Sequence, residues 1–381
     1  MAEINWGALA AQDWEQLARL AQREGVAPLL YAACRGGAMQ AAIPPTALTS
    51  LAGSFYASAA QNLLLSRELR EISAALQAGD VPFIVLKGAA LAPDLYPDLA
   101  LRPMTDLDLL VRRERLQMAQ ELLQPLGYLE FDRPELAGGL AQRIGYHLRL
   151  FKPGGAQPVV VELHWNLIGG DADWRTPPTD WFWSQAVPLD GPAAGAPALA
   201  CKLNPQAHLL YMAAHLMLKH GGGEARLLWF YDLYLLVQRY QDEIDWNELL
   251  RQARRFHWTA AVRTALARAQ RCFGLRLPEQ VLAPTLAAEE LAAADLVARK
   301  QTAYPTMTAK VWRDLLSLDW PTRLRLVAAY LLPSPQFMRY RYPEVPPRMW
   351  LLAYPLRWGQ ILGDAFRTLR ARLSGGRGRS A

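Results

Sequence analysis

The chain has 381 residues, 52% of them apolar and 20% charged, which excludes a disordered chain and leaves room for more than one core. The net charge of +6 is uneven: residues 331–381 carry nine arginines against Glu344 and Asp364, a surplus of seven that leaves the remainder near minus one. The basic balance belongs to the tail, so the rest of the chain has no strong nucleic-acid signature, and three dispersed cysteines make neither a disulfide framework nor a zinc spacing.

Residues 1–80 read as a helical region. Its last helix, Thr46 to Ala78, is expected to turn Leu63, Leu64, Ile72 and Leu76 to a core and Arg67, Glu68, Arg70 and Glu71 to water. Met1 to Trp6 has no basic segment followed by an apolar run, and no stretch is apolar for a membrane-spanning length. A cytoplasmic protein is expected.

From Val81 the pattern alternates. It predicts strand 82–86, helix 88–96, strand 106–111, helix 113–124, a short strand near 128–131, then strands 144–151 and 158–164 around a Pro-Gly-Gly turn. Gly88 follows the first strand directly, where a glycine lets backbone N–H groups approach an anion at a helix start. Asp106 and Asp108 are one residue apart on the next strand, so both face one side while Leu107 and Leu109 face the other. Two carboxylates this close repel each other, and a divalent cation such as Mg²⁺ is the usual reason to hold them together. Glu162, set among Val159, Val161 and Leu163, is the natural third carboxylate. If the last two strands pair symmetrically about their turn, His147 lies opposite Glu162. His164 shares the face of Glu162, either as a core-edge histidine or in contact with a ligand.

A linker rich in Trp, Pro and Asp follows Trp165, with a short helix near 179–187 and a Pro/Ala/Gly loop to 198. Beyond Leu203 the chain reads as helical throughout, with helices at 206–219, 224–240, 245–256, 258–273 and 287–301. His208, His215 and His220 lack the acidic or cysteine partner that a zinc set needs. The tail places Trp350 and Trp358 beside arginines, a pattern suited to a peripheral contact with anionic lipid or with a partner.

The wording Leu86-Lys87-Gly88-x-x-Leu91, Leu95-Tyr96-Pro97-Asp98, Leu101-Arg102-Pro103, Asp106-Leu107-Asp108-Leu109-Leu110-Val111 and Glu162-Leu163-His164-Trp165 resembles the nucleotidyltransferase superfamily that includes DNA polymerase beta and kanamycin nucleotidyltransferase. Within it, the sequence looks like a bacterial branch of uncharacterised nucleotidyltransferases. The resemblance implies an α+β catalytic unit, a mixed sheet with helices on one face, preceded by helices and followed by an all-α domain. The expected regions are 1–80 (helical), 81–203 (catalytic), 204–330 (helical) and 331–381 (basic extension).

The resemblance further implies two Mg²⁺ (or Mn²⁺) ions on Asp106, Asp108 and Glu162, with Glu162 helping to accept a proton. Lys87, Gly88, Ala89 and Arg102 would hold the phosphates of an NTP, with ATP the expected donor and the acceptor unidentified. His147, His164, His215, Arg226 and Asp232 would line the cleft, the last two as a polar pair. Ala89 departs from the superfamily, where a serine or second glycine is usual. That departure favours the alternative, a non-catalytic binding module that keeps the fold. Oligomeric state has no signature in the sequence.

Overall fold

The computed structural model describes residues 5–130, 146–154, 158–168, 177–189, 199–220, 225–282, 320–333, 335, 338, 342 and 344–375. Helices α1 (Ala11–Arg23) and α2 (Ala27–Cys34) pack against the first half of a long helix, α4 (Pro45–Ala78), and α3 (Gly37–Ala42) packs against α2 and the 3₁₀ turn Trp6–Ala8. Pro45 suits the first turn of α4, where its missing N–H is not needed. Trp14, Cys34 and Leu51 belong to this N-terminal core. The second half of α4 enters a different core through Leu65, Ile72 and Leu76. Two of the expected exposures are reversed. Leu63 is 68% exposed, whereas Glu68 is buried, accepting a hydrogen bond from Tyr128 Oη at 2.8 Å and pairing with Lys152 Nζ at 2.9 Å.

The sheet has seven strands among the described residues: β1 (Phe83–Leu86), β2 (Asp106–Val111), β3 (Leu129–Glu130), β4 (His147–Lys152), β5 (Val159–His164), β6 (Ala186–Pro188) and β7 (Ala200–Leu203). Their order is β3-β4-β5-β2-β1-β7-β6. β2 runs parallel to β5 and β1 parallel to β7, and the other neighbours are antiparallel, so the sheet is mixed. β6 falls at the end of the expected short helix, and β7 in the stretch between the expected loop to 198 and the helices after Leu203. That short helix, α7 (Thr179–Ser184), is shorter than expected. The Pro/Ala/Gly loop lies mostly at 190–198, outside the described residues.

Connecting helices are α5 (Lys87–Leu95) and α6 (Leu116–Leu123). Together α4 and α6 cover the sheet face that carries Phe83, Val85, Leu107, Leu109, Val161 and Leu163. The opposite face carries Ile84, Leu86, Leu110, Cys201 and Leu203, which join the core of the helical region that follows. That region comprises α8 (Pro205–Lys219), α9 (Leu227–Tyr240), α10 (Trp246–Arg255), α11 (Thr259–Phe273) and α12 (Glu279–Leu282). α8 starts on Asn204, whose side chain accepts from the Ala207 N–H. Residues Ala207 to Leu218 of α8 are all buried, so this helix is central to its region. The expected helix at 287–301 lies outside the described residues.

The C-terminal part holds α13 (Trp320–Leu331) and α14 (Ala353–Gly375). A 3₁₀ segment at Pro347–Leu352 precedes α14. Pro355 occupies the first turn of α14, where proline is tolerated.

Candidate active site

β1, β2 and β5 build the site by register. Leu86 lies opposite Asp108, and Asp108 lies beside Glu162 on the parallel neighbour. Side chains in register on adjacent strands share a face, and Asp106 is two residues along on that face. The sheet therefore turns Asp106, Asp108 and Glu162 toward α8. Burial and the neighbouring Asp108 push the Asp106 carboxyl up to about 6, a consequence of crowding like charges away from water.

Cations already answer these charges. Lys87 Nζ is 2.6 Å from Asp108 Oδ1. Lys87 sits at the strand-to-helix junction with φ +49°, a left-handed conformation that few lysines adopt and that marks a constrained position. His164, fully buried, places Nε2 2.8 Å from Asp108 Oδ1 and 3.5 Å from Glu162 Oε2. Its Nδ1 is 3.3 Å from the Asn166 carbonyl oxygen, which can only accept, so Nδ1 carries a proton. Burial opposes a charge on this ring, but the hydrogen bonds to Asp108 and Glu162 outweigh it and raise the His164 pKa. Burial likewise opposes the charge on Glu162, yet His164 and His147 hold it well below the usual carboxylate range.

The register of the hairpin corrects one expectation. His147 pairs with His164, and Arg149 pairs with Glu162. The offset from symmetrical pairing is two residues, which preserves the face. His147 Nε2 consequently still reaches Glu162 Oε1, diagonally, at 3.6 Å. Arg149, to which no role was assigned from its sequence context, places Nε 3.9 Å from the same oxygen.

Arg102 and Arg226 differ from expectation more sharply. Arg102, expected at the phosphates, is buried and bidentate on Asp232, with Nη2 to Oδ2 at 2.7 Å and Nε to Oδ1 at 3.1 Å. Tyr96 Oη donates to the same Oδ1 at 2.7 Å. Asp232 thus pairs with Arg102 and not with Arg226, which is exposed and lies over the Trp229 ring, 5.8 Å from its centroid. Gly88 is where it is for the same reason: a Cβ there would stand 2.0 Å from Arg102 Nη1. Ala89 is buried in the second turn-facing row of α5 beside Met104 and Leu107.

α8 closes over the carboxylates with a polar stripe at helical spacing, His208, Tyr211 and His215. Among the described residues, His208 Nε2, Tyr211 Oη and His215 Nδ1 are buried without a hydrogen-bond partner. Burial, then Lys87, holds His215 well below its ordinary pKa, so it is neutral. Of these three only His215 was expected at the cleft. Tyr211 was legible only as the residue four before His215 on the same helical face. A separate cavity of about 480 Å³ is lined by Leu65, Ser73, Met104, Leu107 and Lys202. Leu107 points away from Asp106 and Asp108, so that cavity belongs to the other face of the sheet.

Residues 10–274 match the family described as "Uncharacterised nucleotidyltransferase", a span of more than half the chain. This chain belongs to the uncharacterised nucleotidyltransferase family. A solved structure, an antigenic nucleotidyltransferase-like protein from Paracoccidioides brasiliensis, aligns at 15% identity with a TM-score of 0.33, covering 53% of this chain and 85% of its own. No curated protein matches the chain. For this nucleotidyltransferase family member, three carboxylates on one sheet face form an oxygen donor set of the kind hard divalent cations take. Asp108 and Glu162 are already held ionised by Lys87, His164 and His147, whereas burial and Asp108 raise Asp106, so a divalent cation on this face would chiefly answer the charge of Asp106.

Proposed function

We propose that the chain is a divalent-cation-dependent nucleotidyltransferase that moves a nucleoside monophosphate, AMP in the first instance, from an NTP to an acceptor hydroxyl. The observation that carries this reading is the register Leu86–Asp108–Glu162, which aligns carboxylates of two strands beside the start of α5. Asp106, Asp108 and Glu162 would hold Mg²⁺ or Mn²⁺, which when bound neutralises the triphosphate and lowers the pKa of the attacking hydroxyl. Lys87 and the Gly88 and Ala89 N–H groups at the start of α5 would orient the phosphates. The hydroxyl oxygen bonds to the α-phosphorus, the bond to the β-phosphate oxygen breaks, and pyrophosphate leaves. With Glu162 held ionised by two imidazoles, Asp106 is the better proton acceptor of the three. His164, His147 and His215 would set the cleft around the acceptor, whose identity is open.

The test is incubation with labelled ATP and Mg²⁺ over a panel of small-molecule, sugar, peptide and protein acceptors. Pyrophosphate release that disappears in Asp106→Asn/Asp108→Asn supports the reading, and equal release from that variant refutes it. A second reading has its own observation. Lys87 and His164 neutralise Asp108 without any added ion, as in a binding module that retains the fold. Nucleotide binding without turnover on any acceptor would favour it.

We also infer a peripheral role for the basic extension. Trp358, Leu362, Phe366 and Leu369 form an exposed apolar stripe on α14, with Arg367 and Arg370 beside it. No helix among the described residues is long and apolar enough to cross a membrane. Salt-sensitive sedimentation with anionic vesicles would support this contact, and sedimentation equal with neutral vesicles would count against it.

A further inference from the structure

Two imidazoles beside Glu162 have no place in a site built from carboxylates alone. His147 Nε2 approaches Oε1 of that carboxylate at 3.6 Å, and His164 Nε2 approaches Oε2 at 3.5 Å. One donor atom from each of the three residues lies within 4.8 Å of the others. A tetrahedral ion with ligand bonds of ~2.0–2.1 Å needs its donors about 3.4 Å apart. The two spacings to Glu162, one to each carboxylate oxygen, are close to that edge. Octahedral Mg²⁺, at about the same bond length, needs right-angle neighbours nearer 2.9 Å and prefers oxygen throughout.

A second observation concerns orientation. The far ring nitrogen of His164, Nδ1, faces the Asn166 carbonyl and leaves Nε2 turned to Asp108 and Glu162. A backbone carbonyl on the remote nitrogen is the outer partner that fixes the tautomer of metal-bound histidines. Asp108 Oδ1 accepts a hydrogen bond from the same Nε2 at 2.8 Å, whose proton an ion bound there would displace. The β4–β5 register supplies rigidity, because His147 and His164 are direct cross-strand partners in the sheet interior.

We propose that His147, Glu162 and His164 form an imidazole-containing metal centre that selects a borderline divalent ion of the zinc class. It adjoins the oxygen-only pair Asp106 and Asp108. The inference shares Glu162 with the proposed transferase site and rests on that reading only for its place beside a nucleotide. Imidazole donors suit zinc, nickel and copper, whereas carboxylate and water suit magnesium. Selection between the two ion classes would therefore lie in β4 and in the end of β5.

Co²⁺ is the probe, titrated into the full-length chain and followed by visible absorption. The expected result is one equivalent with intense tetrahedral bands, displaced by Zn²⁺ and not by excess Mg²⁺. His147→Leu should weaken Co²⁺ binding by more than about 100-fold, the upper range for loss of even an outer partner. Asp106→Asn should retain the bands, and circular dichroism of each variant checks folding. If His147→Leu does not fold, His147→Gln, which keeps polarity, replaces it. Weak octahedral bands, or bands unchanged by either His147 substitution, would overturn the proposal. Tetrahedral bands with no pyrophosphate release on any acceptor would support the centre and count against the transfer reading. Release in Mg²⁺ with an octahedral Co²⁺ spectrum would overturn the centre and leave the transfer reading standing.

Discussion

Asp232→Ala is the substitution that most directly tests how the helical region is held to the sheet. Asp232 is fully buried on α9 and accepts three hydrogen bonds, from Arg102 Nε, Arg102 Nη2 and Tyr96 Oη. Removing the carboxylate leaves the Arg102 guanidinium, itself 5% exposed, without its counter-charge. Breaking a buried pair in this way costs about 3–5 kcal/mol. Much of that is the stranded charge, so Arg102→Met/Asp232→Leu should recover a large part of it, and the two single effects should not add. Equilibrium urea unfolding followed by tryptophan fluorescence measures this, with hydrogen exchange across α9 locating the loss. A loss below about 1 kcal/mol for Asp232→Ala, against the range for buried pairs, would refute the reasoning. So would a double variant as unstable as the sum of the singles.

Three further outcomes are expected. Asp106→Asn should lower nucleotidyl transfer by several kcal/mol of barrier, roughly a thousandfold, while leaving the melting temperature unchanged or slightly raised, because it removes a like-charge neighbour of Asp108. Glu68→Leu should destabilise by about 1–3 kcal/mol in urea unfolding, since it removes the buried acceptor of Tyr128 and leaves the partly exposed Lys152 with Glu71 alone. Stability should also fall as pH drops from about 6.5 toward 3, because burial and the nearby Lys202 and Arg102 push His208 down to about 3. The unfolded chain takes up that proton first, so the stabilisation is present above the ordinary 6.5 and lost through the folded value. His208→Phe should flatten this slope in pH-dependent melts. His164 acts in the opposite sense: its raised pKa contributes stability below the unfolded value that is lost as pH rises through the folded one.

Strands β1, β2, β4 and β5 were legible because their apolar residues run or alternate and their ends carry glycine, proline or charge. The shared face of Asp106 and Asp108 follows from a period of two and needs no tertiary information. What sequence spacing could not supply was partner choice. The two-residue shift of β4 against β5 keeps every side chain on its predicted face while changing who stands opposite whom. Arg226 and Asp232 are six apart on neighbouring turns and invited pairing, but Asp232 instead meets residues about 130 positions earlier. The polar stripe of α8 was hidden by its surroundings: His208, Tyr211 and His215 sit in a helix that is apolar on every side.

The Arg102–Asp232 contact also changes what the motif-like segments between α5 and β2 mean. Tyr96, from Leu95-Tyr96-Pro97-Asp98, and Arg102, from Leu101-Arg102-Pro103, converge on one carboxylate of the helical region. Asn62 of α4 fastens the same loop from the other side, donating to the carbonyls of Leu99 at 2.6 Å and Arg102 at 2.8 Å. Gly88, at the start of α5, gives the guanidinium its room. A loop tied to α4, α5 and α9 at once fixes the distance between the carboxylate face and α8. Gly88→Ala would therefore act at two levels, displacing Arg102 and disturbing the α5 start beside Lys87. If the glycine served phosphate alone, Gly88→Ala would weaken nucleotide binding with little change in unfolding free energy. The clash with Arg102 predicts that both fall together, and that Gly88→Ala costs little further stability in the Arg102→Met/Asp232→Leu background, where the obstructed group is gone and no charge is stranded.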